Sequence, residues 1–474
     1  MPGHPSPRSP RASRFRLLRR ATALGGAAVL STVLTGGPPT AAAPTGGHCA
    51  RQARASVPGA EHQESACLPD MTTTALAGTR YTDTADQAGL AAKGTITPSG
   101  VPGIQIDGFF PDSSSFNGTH GWRHDAQFVI RLPDRWNGGL VVTGAPGTRK
   151  QYATDAVVSD RVLAQGYAYA ATDKGNSGAD FYTDGSRPGD AIAEWNRRTT
   201  ELTRAAKAVA ARRYGRAPHR TYITGVSNGG YLTRWQLEHH PRLYDGGVDW
   251  EGVLWAAGGG PNPLRTLPTA VAYGLGRATE EDMLAAGFAP GSEFLWPYHR
   301  LAYWGATQKT FRAQLDPAYD PQCPGASAGT TPAEILAPCP SDAVYDIRRR
   351  PPSVRAAVDR IALTGRIGKP LITLHGDLDS LLPIAVDSDV YAAMVRRQGE
   401  GRLHRYYRVR GGNHVDGLYD SHPDRLRPIL PCYRSALDAL TAWVEEGRTP
   451  PPDQDVARPA SGDVVNSCPL SGAR

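Results

Sequence analysis

Residues 224–230 read TGVSNGG and follow the apolar run TYI. One serine, Ser227, sits among Gly225, Gly229 and Gly230. The segment before it reads as a strand. The segment after it, YLTRWQLEHHP, reads as a helix that ends at Pro241. A strand, a G-x-S-x-G turn and a helix make a sharp elbow. The turn forces the serine into a strained backbone conformation, and glycine on either side removes side chains that would collide as strand and helix approach. The hydroxyl then stands above the sheet edge at a helix N-terminus, where the dipole favours negative charge. The N–H of Asn228 is aimed where an oxyanion would form.

The same alternation extends outward. AQFVIRLP and GLVVTG read as strands, TDAVVSDRVLAQG as a helix and YAYAATD as a strand. AIAEWNRRTTELTRAAKAVAARRYG is the clearest helix, closed by Gly215, and GVLWAAGG reads as a further strand. KPLITLHGD and LHRYYRVRGG then give two more strands, with the helix DSDVYAAMVRRQG between them and the helix RSALDALTAWVEEG after them. Strands alternating with helices imply an α/β fold, a mostly parallel sheet covered on both faces. Together with the elbow this resembles the α/β-hydrolase pattern.

A serine nucleophile needs a base, and the base needs an orienting carboxylate. In this fold they follow in the order serine, acid, histidine. LITLHGDLDSLLP offers Asp377 and Asp379 just past a strand, and the H-G-x-x-D spacing selects Asp379 as the acid, with Asp377 as a turn residue. VRGGNHVDG places His414, the expected base, on a loop after the next strand; His422 and His375 are reserves. His239 and His240 close a helix, where positive charge is favourable, and take no catalytic role. The second oxyanion donor is expected on the loop after GLVVTG. Pro146 has no N–H, so Ala145 is chosen, with Gly144 as the reserve. Asp173 and Lys174, at the same sheet edge, read as a structural pair.

Residues 1–43 read as a signal peptide: a basic start, the apolar ATALGGAAVLSTVL and an A-x-A site at residues 41–43. Residues 44–94 form a lead-in, 95–260 and 369–448 the two parts of the core, and 449–474 a tail. Residues 261–368 break the alternation and are rich in proline and aromatics, which reads as a lid or cap. Six arginines and no acid lie in the leader, so the formal charge of +7 falls to near +1 without it. The basic balance is therefore no nucleic-acid footprint. No later apolar run is long enough for a membrane span. The six cysteines suit an exported, disulfide-bonded protein, and nearest-neighbour pairing joins Cys49 with Cys67, Cys323 with Cys339 and Cys432 with Cys468. Neither C-x-x-C nor clustered histidine supports a metal, and the serine chemistry needs no cofactor.

AQFVIRLPDRWNGGLVVTG and ARRYGRAPHRTYITGVSNGG resemble the tannase and feruloyl esterase family, whose acid and base map on Asp379 and His414. TGAPGTRKQY, YAATDKGNSG and GVSNGG are similar to secreted 3-hydroxybutyrate oligomer hydrolases. The resemblance implies a secreted serine hydrolase of carboxylic esters acting on a small or oligomeric ester. The tannase-like enzymes carry bridged cysteines beside the serine and the histidine; Val226 and Val415 stand there in this sequence. That shifts the expectation toward short aliphatic hydroxyacid esters. A secreted peptidase of the same fold is the rival. It needs acidic residues to hold a free N-terminus, and Glu280, Glu281 and Asp282 are the candidates.

Overall fold

The computed structural model describes residues 56–325 and 331–470. The leader and Cys49 lie outside them. The core is one ten-stranded sheet. In chain order its strands are β1 (His62–Leu68), β2 (Gly103–Phe109), β3 (Gln127–Pro133), β4 (Gly139–Gly144), β5 (Ala168–Thr172), β6 (Arg220–Val226), β7 (Gly246–Trp250), β8 (Leu371–Gly376), β9 (His404–Val409) and β10 (Gln454–Val456). The spatial order is β1-β2-β3-β5-β4-β6-β7-β8-β9-β10. Pairing is antiparallel from β1 to β5 and parallel from β5 to β10.

The parallel half explains why the apolar runs were readable. Every residue of β4, β5, β7 and β8 is buried, as strands covered on both faces must be. The helices Asp190–Tyr214 and Asn228–His239 pack on one face and Leu430–Glu446 on the other. The 25-residue helix Asp190–Tyr214 stops at Gly215 with φ +72°, the left-handed cap that glycine adopts without strain.

Three segments differ from the sequence reading. The strand after the serine helix is Gly246–Trp250, not GVLWAAGG, which runs past the sheet edge as irregular chain. Its register hides behind two glycines. A Cβ on Gly247 would meet Ile223 O at 2.8 Å, so close packing excludes the β-branched residues that mark a strand. Strand β7 also carries buried Asp249, neutralised by Arg234 at 2.5 Å. The lead-in contains an edge strand, β1, whose mixed exposure gives it no apolar run. The tail adds a short strand, β10, beside β9.

Within residues 261–368 lie the helices Pro263–Gly274, Glu280–Ala285, Trp296–Ala302, Trp304–Leu315, Pro332–Leu336 and Pro352–Asp359. Their aromatics, including Trp296, Trp304 and Phe311, share one apolar cluster with Trp195, Ile223 and Tyr231 of the core. Trp304 Nε1 donates to Ser380 O at 2.7 Å, tying this segment to the turn after β8. Disulfides join Cys323 with Cys339 and Cys432 with Cys468.

Candidate active site

Ser227 links β6 to the helix Asn228–His239 with φ +58° and ψ −118°. No ordinary turn places a non-glycine residue there, and such strain persists only where packing over-determines it. The packing is visible at the flanking glycines. A Cβ on Gly225 would meet the Gly229 backbone at 2.5 Å, and one on Gly229 would meet Gly144 O at 2.5 Å. The Ser227 N–H donates to Trp250 O at 2.9 Å and its carbonyl accepts from Tyr231, so the backbone is fixed from both sides.

Asp379 follows β8 and is fully buried. Its Oδ1 accepts the N–H groups of Leu381 and Leu382 at 2.7 and 2.9 Å. Its Oδ2 accepts from His414 Nδ1 at 2.8 Å and lies 3.2 Å from His375 Nε2. Burial works against its charge, but the two imidazoles outweigh burial and hold the carboxyl well below the usual range. An ionised carboxylate can only accept, so Nδ1 of His414 carries the proton and Nε2 is left as the basic nitrogen. His375 is a brace: Nδ1 meets Ser388 Oγ at 2.6 Å and Nε2 meets Leu382 O at 2.9 Å. Asp377 bonds the N–H of Gly411 at 2.7 Å and Arg410 at 3.1 Å, away from His414. His422 packs against Phe294.

Ser227 and His414 line one cavity of about 340 Å³. Among the described residues no hydrogen bond joins Ser227 Oγ to His414; in ligand-free enzymes such bonds are often long and tighten around substrate. The cavity wall is largely apolar, with Phe181, Val253, Phe311, Leu381 and Leu382 among its residues. Tyr303, Thr307 and Phe311 come from residues 261–368. Arg149 is the one cationic side chain of the lining among the described residues. Its guanidinium donates to the carbonyls of Asp86 and Ala88 and is paired with no carboxylate among the described residues.

Ala145 is corrected as the second oxyanion donor. Its N–H donates to Thr172 O at 2.9 Å, carrying the β4–β5 ladder one residue past Gly144. Two residues further, Gly147 lines the cavity at φ +51°. Asn228 Nδ2 holds its carbonyl at 3.1 Å, and its N–H donates to no acceptor among the described residues. The Asn228 N–H, first of its helix, has no partner within that helix.

Asp173 and Lys174 lie under this rim. Asp173 accepts from Asn117 Nδ2 and the Gln127 N–H at 2.8 and 3.0 Å, while buried Lys174 stacks over Trp195 at 5.4 Å. Glu280, Glu281 and Asp282 open a short helix through a capping box with Thr279 and do not line the Ser227 cavity. Val226 and Val415 belong to one apolar cluster.

One residue beside the site escaped the sequence reading: Glu251, whose Oε2 is 3.4 Å from His414 Nδ1. Placing the strand at GVLWAAGG put Glu251 ahead of it. Reading GGVDW as the strand would have put Glu251 at its C-terminal end, where functional side chains of open parallel sheets gather.

A tannase and feruloyl esterase family model matches residues 118–250, and a 3HB-oligomer hydrolase model matches residues 335–473. A mono(2-hydroxyethyl) terephthalate hydrolase from Piscinibacter sakaiensis is 29% identical over 142 residues, 27% of this chain and 24% of that protein. A D-(-)-3-hydroxybutyrate oligomer hydrolase from Paracidovorax citrulli is 32% identical over 127 residues, 24% of this chain and 18% of that protein. The chain thus spans about a quarter or less of the curated relatives it matches. An esterase structure from Aspergillus oryzae superposes with a TM-score of 0.50 at 14% identity, covering 85% of this chain and 90% of that one. The chain is therefore an α/β-hydrolase-fold protein that resembles the tannase and feruloyl esterase family over its first core segment and the 3-hydroxybutyrate oligomer hydrolases over its second.

Proposed function

We propose that this chain is a secreted serine hydrolase of carboxylic esters. Ser227 attacks the ester carbonyl, and Nε2 of His414 takes its proton. Asp379 keeps the imidazole in the tautomer that leaves Nε2 free and stabilises the imidazolium as it forms. The N–H groups of Asn228 and Gly147 receive the tetrahedral oxyanion. His414 then returns the proton to the leaving alcohol, and water releases the acid by the same steps.

The observation that carries this reading is the cavity shared by a strained serine and a histidine whose far nitrogen is bonded to a buried aspartate. The wall supports a substrate class. Apolar side chains suit an aliphatic or aromatic acyl chain, and Arg149 suits a free carboxylate at its end. A hydroxyacid oligomer or a dicarboxylic monoester has both features. Residues 261–368 serve as the cap over this chain. The disulfides support export, and no helix among the described residues is long and apolar enough to cross a membrane. The peptidase alternative loses support for its acidic anchor, because Glu280, Glu281 and Asp282 lie in the first turn of a helix outside the cavity lining, with Asp282 engaged in the capping box.

Ser227→Ala is expected to lower kcat/KM for a short-chain p-nitrophenyl ester by about 10⁴-fold or more with an unchanged thermal unfolding transition. Hydrolysis persisting in this variant would remove Ser227 as the nucleophile. A panel of 3-hydroxybutyrate oligomers, gallate, ferulate and plain short-chain esters then resolves the acyl group.

A further inference from the structure

Strand β7 ends at Trp250, and the next residue, Glu251, holds φ at +51°. A long side chain in the left-handed region is uncommon and is retained where its surroundings fix it. Here the surroundings are the acid turn. Glu251 has no solvent exposure. Its N–H donates to Leu374 O at 2.9 Å, and its Oε1 accepts the N–H of Gly376 at 2.6 Å. Both partners belong to β8, three to five residues before Asp379. Oε2 makes no hydrogen bond and points at the base, 3.4 Å from His414 Nδ1. One imidazole nitrogen therefore faces two carboxyls, Asp379 at 2.8 Å and Glu251 at 3.4 Å.

We infer that Glu251 is a positioning residue for the acid–base pair: it pins the start of the Asp379 turn and stands as a second acceptor for His414 Nδ1. The inference rests on the serine-hydrolase reading above and adds a group which that reading does not require. In the resting protein Asp379, at 2.8 Å, is the nearer acceptor, and burial and then the Asp379 charge push the Glu251 carboxyl well above the ordinary carboxylate range, disfavouring a second charge there. Removing the Asp379 charge lets Glu251 ionise and take its place. The charged and titratable groups around Glu251 are Asp379 on the acid turn, His414 and Asp416 on the loop after β9, and Asp249 on its own strand, the last neutralised by Arg234.

The test compares kcat, KM and their pH dependence for a p-nitrophenyl ester in the wild type, Glu251→Gln, Asp379→Asn and the double variant. Glu251→Gln is isosteric and keeps an oxygen for the Gly376 N–H. Glu251→Gly is a second removal that relaxes the backbone. The residual rate of Asp379→Asn is expected to rise with pH, and either Glu251 substitution on that background to remove about tenfold of it through kcat with KM unchanged. A double variant equal to Asp379→Asn at every pH overturns the inference. Ser227→Ala separates the two failures: if it hydrolyses the ester like the wild type, the serine reading falls. In that case the low-field Nδ1–H resonance of His414 decides the role of Glu251, which is supported if the resonance moves in Glu251→Gln and contradicted if it does not.

Discussion

Asp379 and Glu251 are two buried carboxyls beside one imidazole nitrogen, at the ends of adjacent strands, and their environments push them in opposite directions. Asp379 receives two backbone N–H groups and two imidazoles; Glu251 receives one backbone N–H and faces a negative neighbour. Burial is the same for both. What separates them is the neighbour each faces: the two imidazoles favour charge on Asp379, and the Asp379 charge disfavours a second one on Glu251.

The comparison can be broken most severely at Asp379. Asp379→Asn removes the acceptor that sets the His414 tautomer and is expected to cost about 10⁴-fold in kcat, the size known for the equivalent change in a trypsin-like triad. A loss below about tenfold in steady-state kinetics would mean that Glu251 already carries the role.

Stability against pH sharpens the contrast, because the two carboxyls slope opposite ways. Asp379 has a depressed folded-state value, so its stabilisation is present above the unfolded carboxylate range and is lost as pH falls below it. Glu251 has a raised value, so its contribution is complete below the unfolded range and is lost as pH rises above it. Thermal unfolding series should show Asp379→Asn flattening the acid limb and Glu251→Gln flattening the limb above the carboxylate range. Parallel curves for the two variants would erase the distinction.

The smallest effect belongs to Asp377, the carboxyl two residues from Asp379. It bonds Gly411 and the half-exposed Arg410. Asp377→Asn keeps an acceptor for the Gly411 N–H, and surface pairs contribute little, so kcat/KM should change by less than about twofold. A larger loss would show that the turn, rather than the contact with His414, governs activity.

The serine elbow was legible because Gly225 and Gly229 sit at fixed offsets from Ser227; Gly225 makes room for the Gly229 backbone within the turn, and Gly229 for Gly144 O at the end of β4. Asp379 was legible from its spacing after the buried strand β8, and His414 from its order on the loop after β9. Ala145 failed as a donor because a ladder hydrogen bond to Thr172, distant in sequence, claims its N–H. Glu251 was hidden by a strand whose glycines answer to packing against Ile223 and Pro370 rather than to strand preference. Which carboxyl favours charge is likewise set by neighbours from other strands, and composition along one segment does not carry that.

The central claim is that His414, oriented by Asp379, activates Ser227. Fluorophosphonate labelling followed by peptide mass spectrometry tests it directly. The modification should fall on Ser227, with its rate lowered by about 10³-fold or more in His414→Ala. A label on another serine, or equal labelling rates with and without the His414 imidazole, would contradict it.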